Sequence, residues 1–217
     1  MKRNLIYISL LLCSVFITTG CDNKKSETDN VSIKEIKEAN VGDLITFGTY
    51  EQDNDTSSGK EKIEWIVLEK KDNKLLVLSK NGLDAKEYYN EEADITWDES
   101  TLRTWLNAEF LINAFSSDEQ SKITTSTIDD KIYLLSLTEA RTYLDIDGVK
   151  ECKPTEYAIF NGAGSTSKGY AWWWLRSTHD KGEVDYLYFV NDEVKGGYAI
   201  MSTQRNSVRP AMWITID

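Results

Sequence analysis

Short β-type apolar runs crowd both ends of this 217-residue chain, with helical spacing confined between them, and that order restricts the folds open to it. Leu44 to Phe47, Ile63 to Leu68 and Leu75 to Ser79 read as strands, and the last two join through Lys70-Lys71-Asp72-Asn73 as a hairpin. Trp172 to Ser177, Val184 to Val190, Tyr198 to Ser202 and Val208 to Ile214 read as four more, separated by Gly, Asp, Asn and Lys turns. In the middle, Leu102, Trp105, Leu106 and Phe110 recur at helical spacing behind Asp98 as N-cap, with Trp97 placed as a hydrophobic staple. Ser116-x-x-Glu119 and Ser136-x-x-Glu139 carry the capping-box pattern and predict two further short helices, the second running through Leu144, with a strand over Lys131 to Leu135 between them. Strands gathered at both ends exclude a regular βαβ alternation. The pattern predicts an α+β fold: a single domain over residues 41–217, with a mostly antiparallel sheet and several short helices in the middle of the chain.

Upstream of that domain the chain has a different character. Met1-Lys2-Arg3 is followed by an apolar run from Leu5 to Ile17 and then Thr18-Thr19-Gly20-Cys21. The run falls short of the ~20 residues that span a bilayer, so residues 1–20 read as a signal peptide. Its Gly-Cys ending resembles the lipobox of bacterial lipoproteins, with Thr18 where leucine is usual. That resemblance implies cleavage before Cys21, a diacylglycerol on its thiol, and a protein held on the extracytoplasmic face of the cell membrane. Residues 22–40 are polar, with almost no large apolar side chain before Val31, and read with Cys21 as a lipidated, flexible tether.

Charge and cysteine count narrow the function. The formal charge is −11, and loss of residues 1–20 removes Lys2 and Arg3 and no acid, leaving −13. An acidic surface disfavours nucleic acid and anionic headgroups, so membrane attachment is expected through lipid. Cys13 leaves with the leader and Cys21 carries the lipid, so Cys152 has no disulfide partner and is expected to be an inert buried thiol. The chain has one histidine, His179, and no Gly-x-Ser-x-Gly, His-Glu-x-x-His, P-loop or dinucleotide glycine motif. His179 and Asp180 are adjacent, and neighbours on a strand point apart. Asp53, Asp55, Ser57, Gly59, Glu61 and Glu64 follow EF-hand ligand spacing, but Ser58 replaces the turn glycine and the flanks are strands. No metal or cofactor is expected, and no catalytic residue is assigned.

Trp172-Trp173-Trp174-Leu175-Arg176-Ser177 is the densest patch of large side chains. Strand alternation sends Trp172, Trp174 and Arg176 to one face and Trp173, Leu175 and Ser177 to the other, which suits a central strand covered on both sides. Tryptophans there serve either as core or as a platform for sugar rings. Arg176 and Arg209 sit inside apolar strands, where a guanidinium must be paired or stacked. Trp172, Trp174, Arg176 and Arg209 are therefore the candidate ligand-binding residues, with core packing and structural ion pairing as the alternatives.

A family resemblance rests on motifs along most of the domain. These are Gly42-Asp43-x-Ile45-x-Phe47-Gly48, Ile63-Glu64-Trp65, Thr96-Trp97, Leu102-Arg103-x-Trp105-Leu106-Asn107, Ala114-Phe115, Lys131-Ile132-x-Leu134-Leu135-Ser136, Trp173-Trp174-Leu175-Arg176-Ser177 and Val208-Arg209-Pro210-Ala211-x-Trp213-Ile214. Together they resemble an uncharacterised bacterial domain of unknown function found in lipoproteins and surface proteins. The closing patterns are also similar, remotely, to C-type-lectin-like and formylglycine-generating-enzyme-like folds, a likeness of fold that does not fix function. The lectin calcium loop has only Val190-Asn191-Asp192 as an echo, and Cys152 lacks the partner that formylglycine chemistry needs. The expectation is a lipid-anchored, non-catalytic binding module for a glycan, peptide or protein. A carboxylate-dependent hydrolase of envelope polysaccharide and a structural assembly protein are the alternatives.

Overall fold

A computed structural model describes residues 34–216 apart from 92 and 192; the leader, Cys21 and most of the tether lie outside these described residues. The protein is mostly antiparallel β-sheet with a few short helices. The first sheet holds β1 (Leu44–Tyr50), β2 (Glu61–Lys71), β3 (Lys74–Ser79), β11 (Ala211–Thr215) and β5 (Ile123–Thr124) in that order, with β6 (Ile132–Tyr133) also pairing with β11. The second runs β4 (Asp84–Lys86), β10 (Asn206–Val208), β7 (Trp173–His179), β8 (Glu183–Val190) and β9 (Glu193–Ile200). Among the described residues no helix is long and apolar enough to cross a membrane.

Local chemistry accounts for much of this. Lys71 pairs with Lys74, and the two residues between them, Asp72 and Asn73, take φ of 47° and 60°. That is the left-handed pair a two-residue hairpin requires. Both expected capping boxes form: Glu119 Oε2 accepts the Ser116 N–H and starts α3 (Ser117–Lys122), while Glu139 Oε2 accepts the Ser136 N–H and starts α4 (Leu137–Tyr143), each at 2.8 Å.

Several boundaries differ from expectation, each for a tertiary reason. The cap at Asp98 moves to Ser100, whose buried hydroxyl accepts the Arg103 N–H at 3.0 Å and starts α1 (Thr101–Trp105). Residues 97–99 form a 3-10 turn instead, because the Trp97 indole is fixed by donating to the buried Asp130 at 2.7 Å. The helical path continues through a π-turn over Leu106–Phe110 into α2 (Leu111–Ala114). Helix α5 (Glu156–Phe160) was not expected; the Thr155 hydroxyl caps it from Ala158 N at 3.1 Å. The strand expected over Tyr198 to Ser202 is β9, five residues earlier at its start, where Gly196 and Gly197 weaken the β signal. The run Val208 to Ile214 divides at Arg209-Pro210 and contributes to both sheets. Residues 34–40, assigned to the tether by composition, pack on the domain: Ala39 is buried, Ile36 touches the core, and the Lys34 N–H donates to Leu44 O at 2.8 Å.

Arg209 marks the crossing between sheets and has no exposed surface. Its Nε donates to Ser79 O at 2.9 Å and its Nη1 to Val149 O at 2.6 Å, and its guanidinium lies 4.9 Å from the Trp173 ring centroid. Burial lowers its pKa, opposed by Cys152 and Glu151. Burial likewise pushes the fully enclosed Cys152 thiol upward, in keeping with an inert thiol. The helical layer is tied down in the same manner, by side chains imitating strand partners. Asn107 donates to Ile132 O at 2.8 Å and accepts from Lys131 and Ile132 N–H at 3.0 and 3.1 Å, while Arg103 pairs with Asp130 at 2.6 Å.

Two outcomes follow from these contacts. Replacing Arg209 by methionine strands at least two buried carbonyls, so chemical denaturation should show a loss of about 3 kcal/mol or more; a loss under about 1 kcal/mol would refute the crossing role. Glu139 is raised by desolvation but held below its ordinary pKa overall by Arg176 and by the Ser136 amide and hydroxyl. A depressed carboxylate stabilises above its unfolded pKa of about 4.3, and the stabilisation disappears as pH falls through the folded value. With 38% of the Glu139 side chain exposed, water screens the pair, so Glu139→Gln should cost about 0.5–1.5 kcal/mol at pH 7, and the difference from wild type should shrink in melts taken below about pH 4.

Candidate functional site

Strand β7 lies at the centre of the second sheet, as its two heavy faces predicted, and the surroundings separate its candidate residues. Trp174 is fully buried; its indole donates to Lys86 O at 2.8 Å and meets Tyr88 edge-on at 6.0 Å. Arg176 is half-buried and spanned by both carboxylate oxygens of Glu139, with Nη2 to Oε1 at 3.0 Å. Arg209 is enclosed at the sheet crossing. Trp174 and Arg209 thus offer no surface to a ligand, because each finds its partners inside, and Arg176 is engaged by the N-terminus of α4. A register shift between Trp174 and Thr178 also breaks the alternation on which Arg176 was assigned to the Trp172 face. Cys21 lies outside the described residues.

Trp172 is different: 36% of its surface is exposed. It precedes β7 and joins Tyr186 and Tyr188 of β8, at 6.3 and 6.4 Å between centroids. The two tyrosines stack at 6.0 Å with an interplanar angle of 28°. All three are partly open to solvent. Two glycines make the arrangement possible. A Cβ on Gly164 would stand 2.7 Å from the Trp172 ring, and one on Gly197 would stand 2.7 Å from the Tyr186 hydroxyl. The absence of side chains lets one ring lie against the loop before β7 and the other lie across β9. Burial raises the Tyr186 pKa, with Tyr188 adding to it, so its hydroxyl stays protonated at neutral pH. Rigid, half-open rings on a sheet present π faces to ring C–H groups and hydroxyl donors at their rim. The Trp172 component was marked in sequence by the tryptophan run; Tyr186 and Tyr188 were missed, since their alternation within Val184 to Val190 reads only as strand.

Other constellations come out smaller than their spacing suggested. Glu51, Asp53 and Glu61 bring carboxylate oxygens within 4.8 Å of one another. Burial, then Asp53 and Glu61, push the Glu51 carboxyl upward. The rest of the EF-hand set is dispersed. Asp55 turns inward to Ser57, with bonds of 3.0 and 2.6 Å, and Glu64 pairs with Lys80 at 2.7 Å. Of the six residues at EF-hand spacing only Asp53 and Glu61 converge, and the third member of the group, Glu51, lies outside that spacing. His179 does find a carboxylate, but it is the buried Asp185 across the β7–β8 hairpin, with Nε2 and Oδ1 2.9 Å apart. Among the described residues no serine or cysteine bonds that imidazole. The echo of a lectin turn falls on the β8–β9 hairpin, where Asn191 has φ of 51°; Asp192 lies outside the described residues.

Comparison with known proteins adds a family but no activity. No curated protein and no solved structure matches the chain. The family model described as "Domain of unknown function (DUF6273)" matches residues 72–216, from the β2–β3 turn through β11. Strands β1 and β2 precede the match although they complete the first sheet. With most of its length covered in order, the chain belongs to the DUF6273 family of domains of unknown function.

Proposed function

We propose that this protein is a lipid-anchored module of the extracytoplasmic membrane face that binds a glycan through Trp172, Tyr186 and Tyr188. The carrying observation is the split within the tryptophan run: Trp173 and Trp174 are enclosed while Trp172 remains 36% exposed beside two half-open tyrosines. Exposed aromatic side chains clustered on a rigid scaffold mark binding surfaces, and sugars offer the apolar C–H faces that such rings accept. A C-type-lectin-like architecture belongs to the same proposal, supported by the Leu-Arg-Ser and Val-Arg-Pro-Ala patterns of β7 and β10–β11. So does attachment through Cys21, supported by the basic leader, short apolar run and Gly-Cys ending. Two or more acyl chains would hold it firmly where one would not.

Two experiments test the reading. On a glycan array, Trp172→Ala should lower binding at least tenfold, about 1.4 kcal/mol, with little change in thermal stability. Trp174→Ala should instead cost about 3–5 kcal/mol of stability. Unfolding on loss of Trp172 would assign it to the core, and an unbound wild-type chain would remove the glycan reading. For the anchor, Cys21→Ser expressed in a bacterial host should abolish incorporation of labelled palmitate and shift the protein from the membrane fraction. Unchanged labelling would locate the lipid elsewhere or nowhere.

A further inference from the structure

A second polar hollow lies on the same sheet as the aromatic cluster. Between β4 and α1 is a cleft of about 240 Å³ lined by Lys86, Glu87, Thr101, Trp105, Asn161 and Arg205 among others. Pockets for drug-sized ligands measure about 300–1,000 Å³, so this smaller cleft suits one ring. Its polar groups are positioned from behind by Asp84, which is 2% exposed. Asp84 Oδ1 accepts from Asn161 Nδ2 at 2.9 Å, and Oδ2 accepts from the Tyr50 hydroxyl at 2.8 Å and lies 3.6 Å from Lys86 Nζ. Burial and the Asp84 charge push the Tyr50 hydroxyl far above its ordinary pKa, so it remains a donor. The Lys86 ammonium also sits 4.4 Å from the Trp105 ring centroid. Amide and ammonium are thereby held in place before any ligand arrives, which is how a binding group avoids ordering cost.

The solvent side supplies matching groups. Arg205 Nε stands 3.2 Å from Glu87 Oε1, and its Nη1 donates to Asn161 O at 3.4 Å. Lys86 and Arg205 are offset by Asp84 and Glu87, so the cleft selects neither an anion nor a cation. It offers charged donors and a charged acceptor around an indole wall, which is the complement of a neutral ring bearing adjacent hydroxyls.

Its location links it to the first site. Lys86 pairs with Asn206, and the next residue, Ser207, pairs with Trp173 and donates its N–H to Trp172 O at 2.8 Å. Lys86 and Trp172 therefore share a face across β10, where Asn206 is buried between them, with their backbones two strand spacings or about 9–10 Å apart. The loop over residues 161–164 runs from one to the other: Asn161 lines the cleft, Gly162 faces the Arg205 stem, and Gly164 faces the Trp172 ring. We propose that this cleft is a second subsite, receiving one neutral sugar unit of the same oligosaccharide that stacks at Trp172. The proposal rests on the glycan reading and extends it to a neutral ligand of more than one ring.

Titration calorimetry of the full chain with β-1,4-linked glucose and β-1,4-linked N-acetylglucosamine oligosaccharides of one to six units tests this. Affinity should rise with length and then level off once both subsites are filled. Arg205→Ala should reduce affinity for the longest oligosaccharide at least tenfold, to that of a short one, with melting unchanged; Glu87→Gln should act in the same direction. If the wild-type chain binds the long oligosaccharide, Trp172→Ala loses it, and both cleft variants bind every length as wild type does, the cleft is no subsite and the glycan reading stands. If the wild-type chain binds neither series, the neutral-glycan proposal fails at both places.

Discussion

A guanidinium with no exposed surface holds the crossing between the two sheets. The chain leaves β10 in one sheet, passes through Arg209-Pro210 and enters β11 in the other, and the Arg209 side chain reaches back to carbonyls at Ser79 and Val149 while lying on the Trp173 ring. Backbone carbonyls and an indole face meet the charge directly, and Glu151 favours it through space. Such an arrangement suits arginine better than lysine, because a planar fork bonds several fixed acceptors at once. β3, the loop at 148–149, β7 and β10–β11 all meet this one side chain, so their relative placement depends on it.

The same economy recurs away from the crossing. Glu139 closes a capping box and also receives Arg176 from β7, so a single carboxylate both starts α4 and docks it on the second sheet. Asp130 receives the Trp97 indole and the Arg103 guanidinium, and Asn107 completes the edge of β6. Many of the residues that mark the family in sequence therefore work as internal fasteners. Their roles describe an architecture, and the open features at Trp172 and beside Lys86 carry the proposed function separately.

Short-range chemistry was legible before the fold was known. The Asp72-Asn73 turn and the two serine capping boxes depend on residues a few positions apart, so spacing alone specified them. Strand runs in β1, β2, β3, β7 and β8 followed from apolar density. β4 and α5 escaped because each is only a few residues long and takes its definition from neighbours far along the chain. In β9, Gly196 and Gly197 obscured a strand in which the glycine at 197 leaves room for the Tyr186 ring.

By itself the sequence determined the longer strands, the two serine-capped helices, the central place of the tryptophan strand, and a candidate set containing Trp172. It could not rank Trp172 above Trp174 or Arg209, since adjacent large side chains look alike until surrounding elements cover some and leave others open. Tertiary structure decided that ranking. It also united Lys86, Trp105, Asn161 and Arg205 from four separate stretches, a convergence without a local spacing because burial and hydrogen bonding act through space rather than along the chain.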